Sequence, residues 1–313
     1  MTVEIYSRPW RYSSLVVFQS TPPFLESSKT EVSRPKWWQW FLGAFIAVIV
    51  WQAAGAIAML ATASAFDVPW DALDTFPDVD PWIALFIVLI TFLPLFIVVP
   101  LLYPLLLRLP WKRLITPHLL ISFRRIWHGF FAMAAIIVPL SAIDLFLNEK
   151  DYTFTFDLRT FLPYILVCLV LLPIQTTSEE FLFRGWLLQW NDNGKFPKFL
   201  IVIINSSLFA LPHMFNPEVK GEYPLAFLYY ASAGAMLTLA TLRDGTLELA
   251  IGAHFANNLL AGTLVSYQDA ALPSAALFLT GELEWVWSTI ISFAIIPVFL
   301  WLTRARPKVS NLD

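Results

Sequence analysis

The sequence is poor in charge and poor in cysteine. Asp, Glu, Lys and Arg make up 14% of its 313 residues, against roughly 25% in an ordinary soluble domain. With 58% hydrophobic residues and a mean hydropathy of +0.66, there is too little polar surface to cover a water-soluble body, which argues against a soluble enzyme and for a lipid solvent. The lone cysteine, Cys168, rules out a disulfide framework within one chain and leaves the redox compartment open. It lies in an apolar run and reads as packing. The opening stretch MTVEIYSRPWRYSSLVVFQS lacks a positive n-region, a long apolar core and a small-residue cleavage site. It reads as a polar tail rather than a secretory signal. No internal repeat is visible, and the linkers are too short for a second domain. No nucleic-acid module is present either, because the basic residues are accounted for by topology.

What the chain has in quantity is apolar length, with fourteen Trp and twenty-seven Phe. Eight apolar spans are predicted at 38–63, 81–108, 127–147, 161–190, 197–213, 224–242, 246–266 and 286–303. A helix needs about 20 residues to cross about 30 Å of hydrocarbon, and backbone polarity must be satisfied within lipid. The fold class is therefore all-α, a polytopic membrane bundle of about eight helices over 37–303. The stretch 267–283, with LPSAALFL, is expected to form a short interfacial helix. Charge placement supports the count. Arg8, Arg11, Lys29, Arg34 and Lys36 precede the first span; Arg108, Lys112, Arg113, Arg124 and Arg125 occupy 108–126; Lys195, Lys198 and Arg243 fall in later linkers; Arg304, Arg306 and Lys308 follow the last span. The first intervening connection holds Asp67, Asp71, Asp74, Asp78 and Asp80 with no Lys or Arg. This alternation predicts cytoplasmic tails at 1–36 and 304–313, and Trp at span ends, as in WWQW at 37–40, reads as interfacial anchoring.

Ionisable groups inside spans are expensive and face the bundle interior or a wet cavity. Three clusters stand out: SEEFLFRG at 178–185, FALPH at 209–213 and HFANN at 254–258. Glu180 and Arg184 share a helix face at i,i+4 and can pair, leaving Glu179 freer to face a cavity. His254 and Asn258 share a face by the same spacing. Phe209 lies one turn before His213, and Pro212 loosens the end of that helix. Each feature alone has a plainer reading. Glu180–Arg184 suits a helix-locking pair, Asn258 interhelical glue, and His213 an interface residue. Together they leave three classes open: hydrolase, proton-coupled transporter, and membrane interaction protein.

The motifs add a resemblance. EEFLFR at 179–184 is similar to EExxxR, FALPH to FxxxH, and HFAN with Asn258 to HxxxN. In this order, over about 125–265, the chain resembles the CPBP family of intramembrane proteases, which includes type II CAAX prenyl endopeptidases and bacteriocin-processing or immunity proteins. The resemblance implies that Glu179 activates water, that Glu180 and Arg184 support it, that His213 and His254 are the essential histidines, that Asn258 stabilises the oxyanion, and that Phe209 fills the aromatic position. Glu248 and the LPH turn at 211–213 depart from the pattern and bear on substrate shape. The implied substrate is a membrane-associated, prenylated or leader-bearing peptide, and the implied setting a bacterial plasma membrane. A non-catalytic immunity role is the family's alternative.

Two mechanisms follow. In one, Glu179 is the general base aided by His213, since a carboxylate in low dielectric holds a proton more readily, while His254 and Asn258 hold the oxyanion. In the other, Glu179, His213 and His254 bind Zn²⁺ with a fourth position for water, although the local HExxH signature is absent. The metal-free route, with no cofactor, is the expectation. Depth raises a difficulty: counted from the cytoplasmic ends, Glu179 lies about 16 Å in, His254 about 12 Å and His213 about 24 Å.

Overall fold

The computed structural model describes residues 35–304 apart from 74, 77 and 192–195. The tails expected at 1–36 and 304–313 fall outside these residues except for 35, 36 and 304, as do Asp74 and Lys195. Nine α-helices are described: α1 Trp37–Ala65, α2 Pro81–Ile90, α3 Leu93–Leu107, α4 Phe123–Leu147, α5 Leu158–Glu180, α6 Lys198–His213, α7 Tyr223–Asp244, α8 Glu248–Thr263 and α9 Trp285–Leu302. A break at Thr91–Phe92 divides α2 from α3, but together they form one apolar stretch, Pro81–Leu107, so the helical units number eight. Six are long and apolar enough to cross a membrane. The 16-residue α6 and α8 reach only about 24 Å at 1.5 Å per residue. They owe their place to packing inside the bundle. Large apolar side chains such as Phe45, Leu105 and Phe146 point outward along the long helices. This chain is an integral membrane protein of all-α class.

The short helix α8 lies against α4 through very close contacts. A Cβ on Gly252 of α8 would lie 1.8 Å from the Ile126 carbonyl oxygen of α4, and one on Gly129 of α4 would lie 2.2 Å from the Leu249 carbonyl oxygen. Small residues let membrane helices approach where no hydrophobic force between helices operates. The first turns of these two helices are also tied, because the Glu248 carboxylate accepts from the Ser122 N–H at 2.7 Å and from the Thr246 hydroxyl at 3.1 Å. Nearby, Arg125 of α4 meets Asp244 of α7 in a buried ion pair of 2.6 Å and donates to the Thr303 carbonyl beyond α9 at 3.0 Å. Glu248, the residue that departs from the family pattern, is thus a fastening between helices.

The expected interfacial helix at 267–283 is not formed. Instead β1 Tyr152–Phe154, β2 Val265–Tyr267 and β3 Phe278–Thr280 make a three-stranded sheet in the order β1-β3-β2. β3 runs antiparallel to β1, with Phe154 opposite Phe278, and parallel to β2, with Val265 opposite Phe278. The reason is the end of α8. Its last carbonyls have no helical partner, and Leu277 N–H donates to Thr263 at 3.0 Å while Phe278 N–H donates to Leu264 at 3.1 Å. The sheet brings the segments after α4 and after α8 together on one side. Since the first turns of α4 and α8 also meet, the two helices run the same way. We expect Gly252→Ala to lose about 1–3 kcal/mol of stability through overpacking, read by denaturation in detergent. Gly281→Ala, where an added Cβ meets nothing within 4 Å, should shift stability by less than about 0.5 kcal/mol.

Candidate active site

The last turn of α5 carries Glu179 and Glu180, and the chain then widens into a π-helix over Phe181–Leu187. Such wide turns are rare and concentrate at functional sites. Here the Leu188 N–H donates to the Phe183 carbonyl at 3.0 Å, and the same carbonyl accepts from Asn205 Nδ2 at 2.7 Å. Asn205 is held in turn by the Thr238 hydroxyl at 2.8 Å. The widened segment is therefore anchored to α6 and α7, and it directs Arg184 inward.

Arg184 Nη1 donates to Glu180 Oε1 at 2.9 Å, and Nη2 donates to the Gly234 carbonyl at 3.1 Å. The pairing expected from i,i+4 spacing is present, but Glu180 does more than lock the helix. Its Oε1 also lies 2.8 Å from His254 Nδ1. A carboxylate can only accept here, so the proton sits on Nδ1, and in a neutral ring Nε2 carries a lone pair. That Nε2 is 3.5 Å from Glu179 Oε2. Two carboxylates, one guanidinium and one imidazole are thus packed together in lipid-embedded protein. An imidazolium at His254 would bring the four charges to balance, the condition under which buried ions are tolerable. Exposure divides the group. Glu180 and Arg184 are fully sealed at 0%, whereas Glu179 keeps 7% and His254 6%. Only the latter two can touch water or substrate.

Asn258 joins from one turn beyond His254. Its Nδ2 donates to Gln175 Oε1 at 3.0 Å, and Gln175 Nε2 donates to Glu179 Oε1 at 2.8 Å. Phe209 is more than a wall: its ring centroid is 4.3 Å from the Arg184 Cζ, 4.8 Å from the His213 ring and 5.8 Å from the His254 ring. His213 stands on the far side of it. Its Nδ1 lies 2.8 Å from the Phe209 carbonyl, which sets the proton on Nδ1. The structure thus links Glu179, Glu180, Arg184, His254 and Asn258 by polar contacts and joins His213 through aromatic rings, with His254 the histidine beside Glu179. Among the described residues no three His, Cys, Asp or Glu side chains are gathered as a metal-binding set.

Sequence reasoning missed Gln175 and a clamp around His213. Tyr230 stacks on the His213 ring with centroids 4.3 Å apart at 28°. The Tyr230 hydroxyl donates to Glu218, and Asn216 Nδ2 donates to both Glu218 Oε1 and the Tyr230 oxygen at 3.0 Å. Tyr267 in β2 is pushed well above the ordinary phenol range by burial and by the charge of Glu218. The one signal available was Glu218 itself, an acidic residue five positions past His213.

The segment 160–260, which holds Gln175, Glu179, Glu180, Arg184, Phe209, His213, His254 and Asn258, matches the family model described as type II CAAX prenyl endopeptidase Rce1-like. The chain is also 30% identical over 210 residues to the uncharacterized protein YyaK of Bacillus subtilis (strain 168), covering 66% of this chain and 69% of that one. This chain belongs to the Rce1-like family. No solved structure matches it. The family is one of membrane-embedded proteases, and the polar cluster lies within the matched segment. For the clamp, Glu218→Ala leaves the buried Tyr230 hydroxyl without its acceptor and should lose about 1–3 kcal/mol of stability. Glu218→Gln, which still accepts, should lose less; denaturation in detergent compares the two.

Proposed function

We propose that this chain is an intramembrane endopeptidase that hydrolyses a peptide bond of a membrane-associated substrate, prenylated chains being the class the family's name points to. The observation that carries the reading is Glu179 Oε2, a buried carboxylate oxygen with no hydrogen-bond partner, 3.5 Å from His254 Nε2, on the two residues of the cluster that are not fully sealed. A water held there gives one proton to Glu179 Oε2 as its oxygen bonds to the substrate carbonyl carbon. The oxyanion that forms is held by the Asn258 amide and by a protonated His254 Nε2, donors preorganised in low dielectric. Collapse breaks the C–N bond, and the leaving nitrogen takes the proton back from Glu179, so one water is consumed and the enzyme is restored.

In this scheme Glu180, braced by Arg184, orients His254 through Nδ1, and Phe209 packs the two imidazoles around the guanidinium. His213, with its proton turned to the Phe209 carbonyl, helps Glu179 hold the water. No step of this scheme passes through a metal. The active site faces the cytoplasmic half of a bacterial plasma membrane with both chain ends cytoplasmic; the basic segment 108–126 on one side and the sheet on the other support this orientation.

We expect Glu179→Gln to abolish cleavage, by at least about 1,000-fold, while folded protein still accumulates in the membrane. Comparing membrane peptides from cells with active and Glu179→Gln protein identifies the cut; substantial cleavage by the variant would refute the role of Glu179. Chelation of the purified enzyme should leave activity unchanged. Loss of activity on chelation, restored by zinc, would instead favour the metal route.

A further inference from the structure

Gln175 lies on α5 one turn before Glu179, on the same helix face, and is 4% exposed. Its own carbonyl accepts from the Ser178 hydroxyl at 2.7 Å. Its side-chain amide touches two members of the site from two different helices: Glu179 Oε1 at 2.8 Å on α5, and Asn258 Nδ2 at 3.0 Å on α8. An ionised carboxylate accepts hydrogen bonds and cannot donate. The amide nitrogen of Gln175 must therefore face Glu179, and its oxygen must face Asn258. That choice fixes Asn258 in turn. Its nitrogen points to Gln175, and its oxygen accepts from Asn257 Nδ2 at 3.1 Å.

Resting on the peptidase reading above, we propose that Gln175 is a positioning residue that sets both the oxygen of Glu179 that takes the proton and the end of Asn258 that meets the oxyanion. On Glu179, Oε1 is occupied by Gln175, while Oε2 is left without a partner and faces His254. The proton of the attacking water is thereby directed to Oε2. On Asn258, one N–H is engaged by Gln175, and the second N–H of the same nitrogen remains for the substrate. One amide thus couples the base to the oxyanion donor across the α5–α8 contact. Gln175 itself acts through Glu179 and Asn258 and is not a catalytic group.

The test uses the full-length protein in detergent or lipid, with the peptide substrate recovered from the membrane comparison. Gln175→Met keeps length and removes both hydrogen bonds. We expect kcat to fall on the order of 100-fold, the effect of a small misplacement of reacting groups, with KM changed by less than about 3-fold. Asn258→Ala should then cost several-fold less in the Gln175→Met background than in wild type, because contacting residues are not additive. The orientation of the Asn258 amide is followed by side-chain ¹⁵N NMR and should change in Gln175→Met, which has no acceptor for it. Additive losses, an effect confined to KM, or full activity of Gln175→Met beside an inactive Glu179→Gln would overturn the proposal and leave the peptidase reading standing. Wild-type protein that cuts no peptide would overturn the peptidase reading instead. The NMR comparison still decides the positioning claim in that case: an Asn258 amide signal unchanged by Gln175→Met sinks it.

Discussion

A buried carboxylate must find hydrogen-bond donors, and in a membrane there is no water to supply them. Glu180 is the residue on which this requirement falls hardest. It is fully enclosed, and its Oε1 is shared by Arg184 and His254. Much else follows from keeping that oxygen satisfied. Arg184 has to point inward, so α5 gives way to a π-helix. His254 has to reach across from another helix, so α8 must lie close against its neighbours. A lipid-embedded cluster of two carboxylates, a guanidinium and an imidazole holds together only if each part arrives.

The two histidines come from the helices least suited to span a membrane alone, whereas Glu179, Glu180 and Arg184 come from a long apolar span. α6 and α8 have 16 residues each and would be short in a bilayer about 30 Å thick. α6 keeps an exposed apolar face at Phe199, Ile203 and Leu211, whereas α8 is largely buried and is seated by reciprocal glycine contacts with α4. Its first turn is fastened through Glu248 and its last turn through β3. Short helices held at both ends give a rigid placement for His254 and Asn258.

The arrangement also separates two kinds of histidine. His254 is bonded to a carboxylate and stands beside Glu179, whereas His213 is held by a backbone carbonyl, by Phe209 and by the Tyr230 stack. Phe209 lies one turn before His213 on α6 and touches both imidazole rings.

Composition and period alone determined that the chain is a helical membrane bundle, because lipid leaves the backbone few other choices. Local spacing predicted the Glu180–Arg184 pair at i,i+4, and the pair forms although the chain widens into a π-helix just after Glu180. The motif set marked Glu179, His213, His254 and Asn258, but no spacing along one helix tells which side chain of another it meets. That His254 bonds Glu180, that Gln175 bridges Glu179 and Asn258, and that Tyr230 and Glu218 brace His213 were decided only by the tertiary structure. The same holds for the sheet that replaced an expected helix at 267–283. Its strands β1 and β3 lie more than a hundred residues apart in the chain, and the unsatisfied carbonyls at the end of α8 that recruit β3 exist only once that helix has folded.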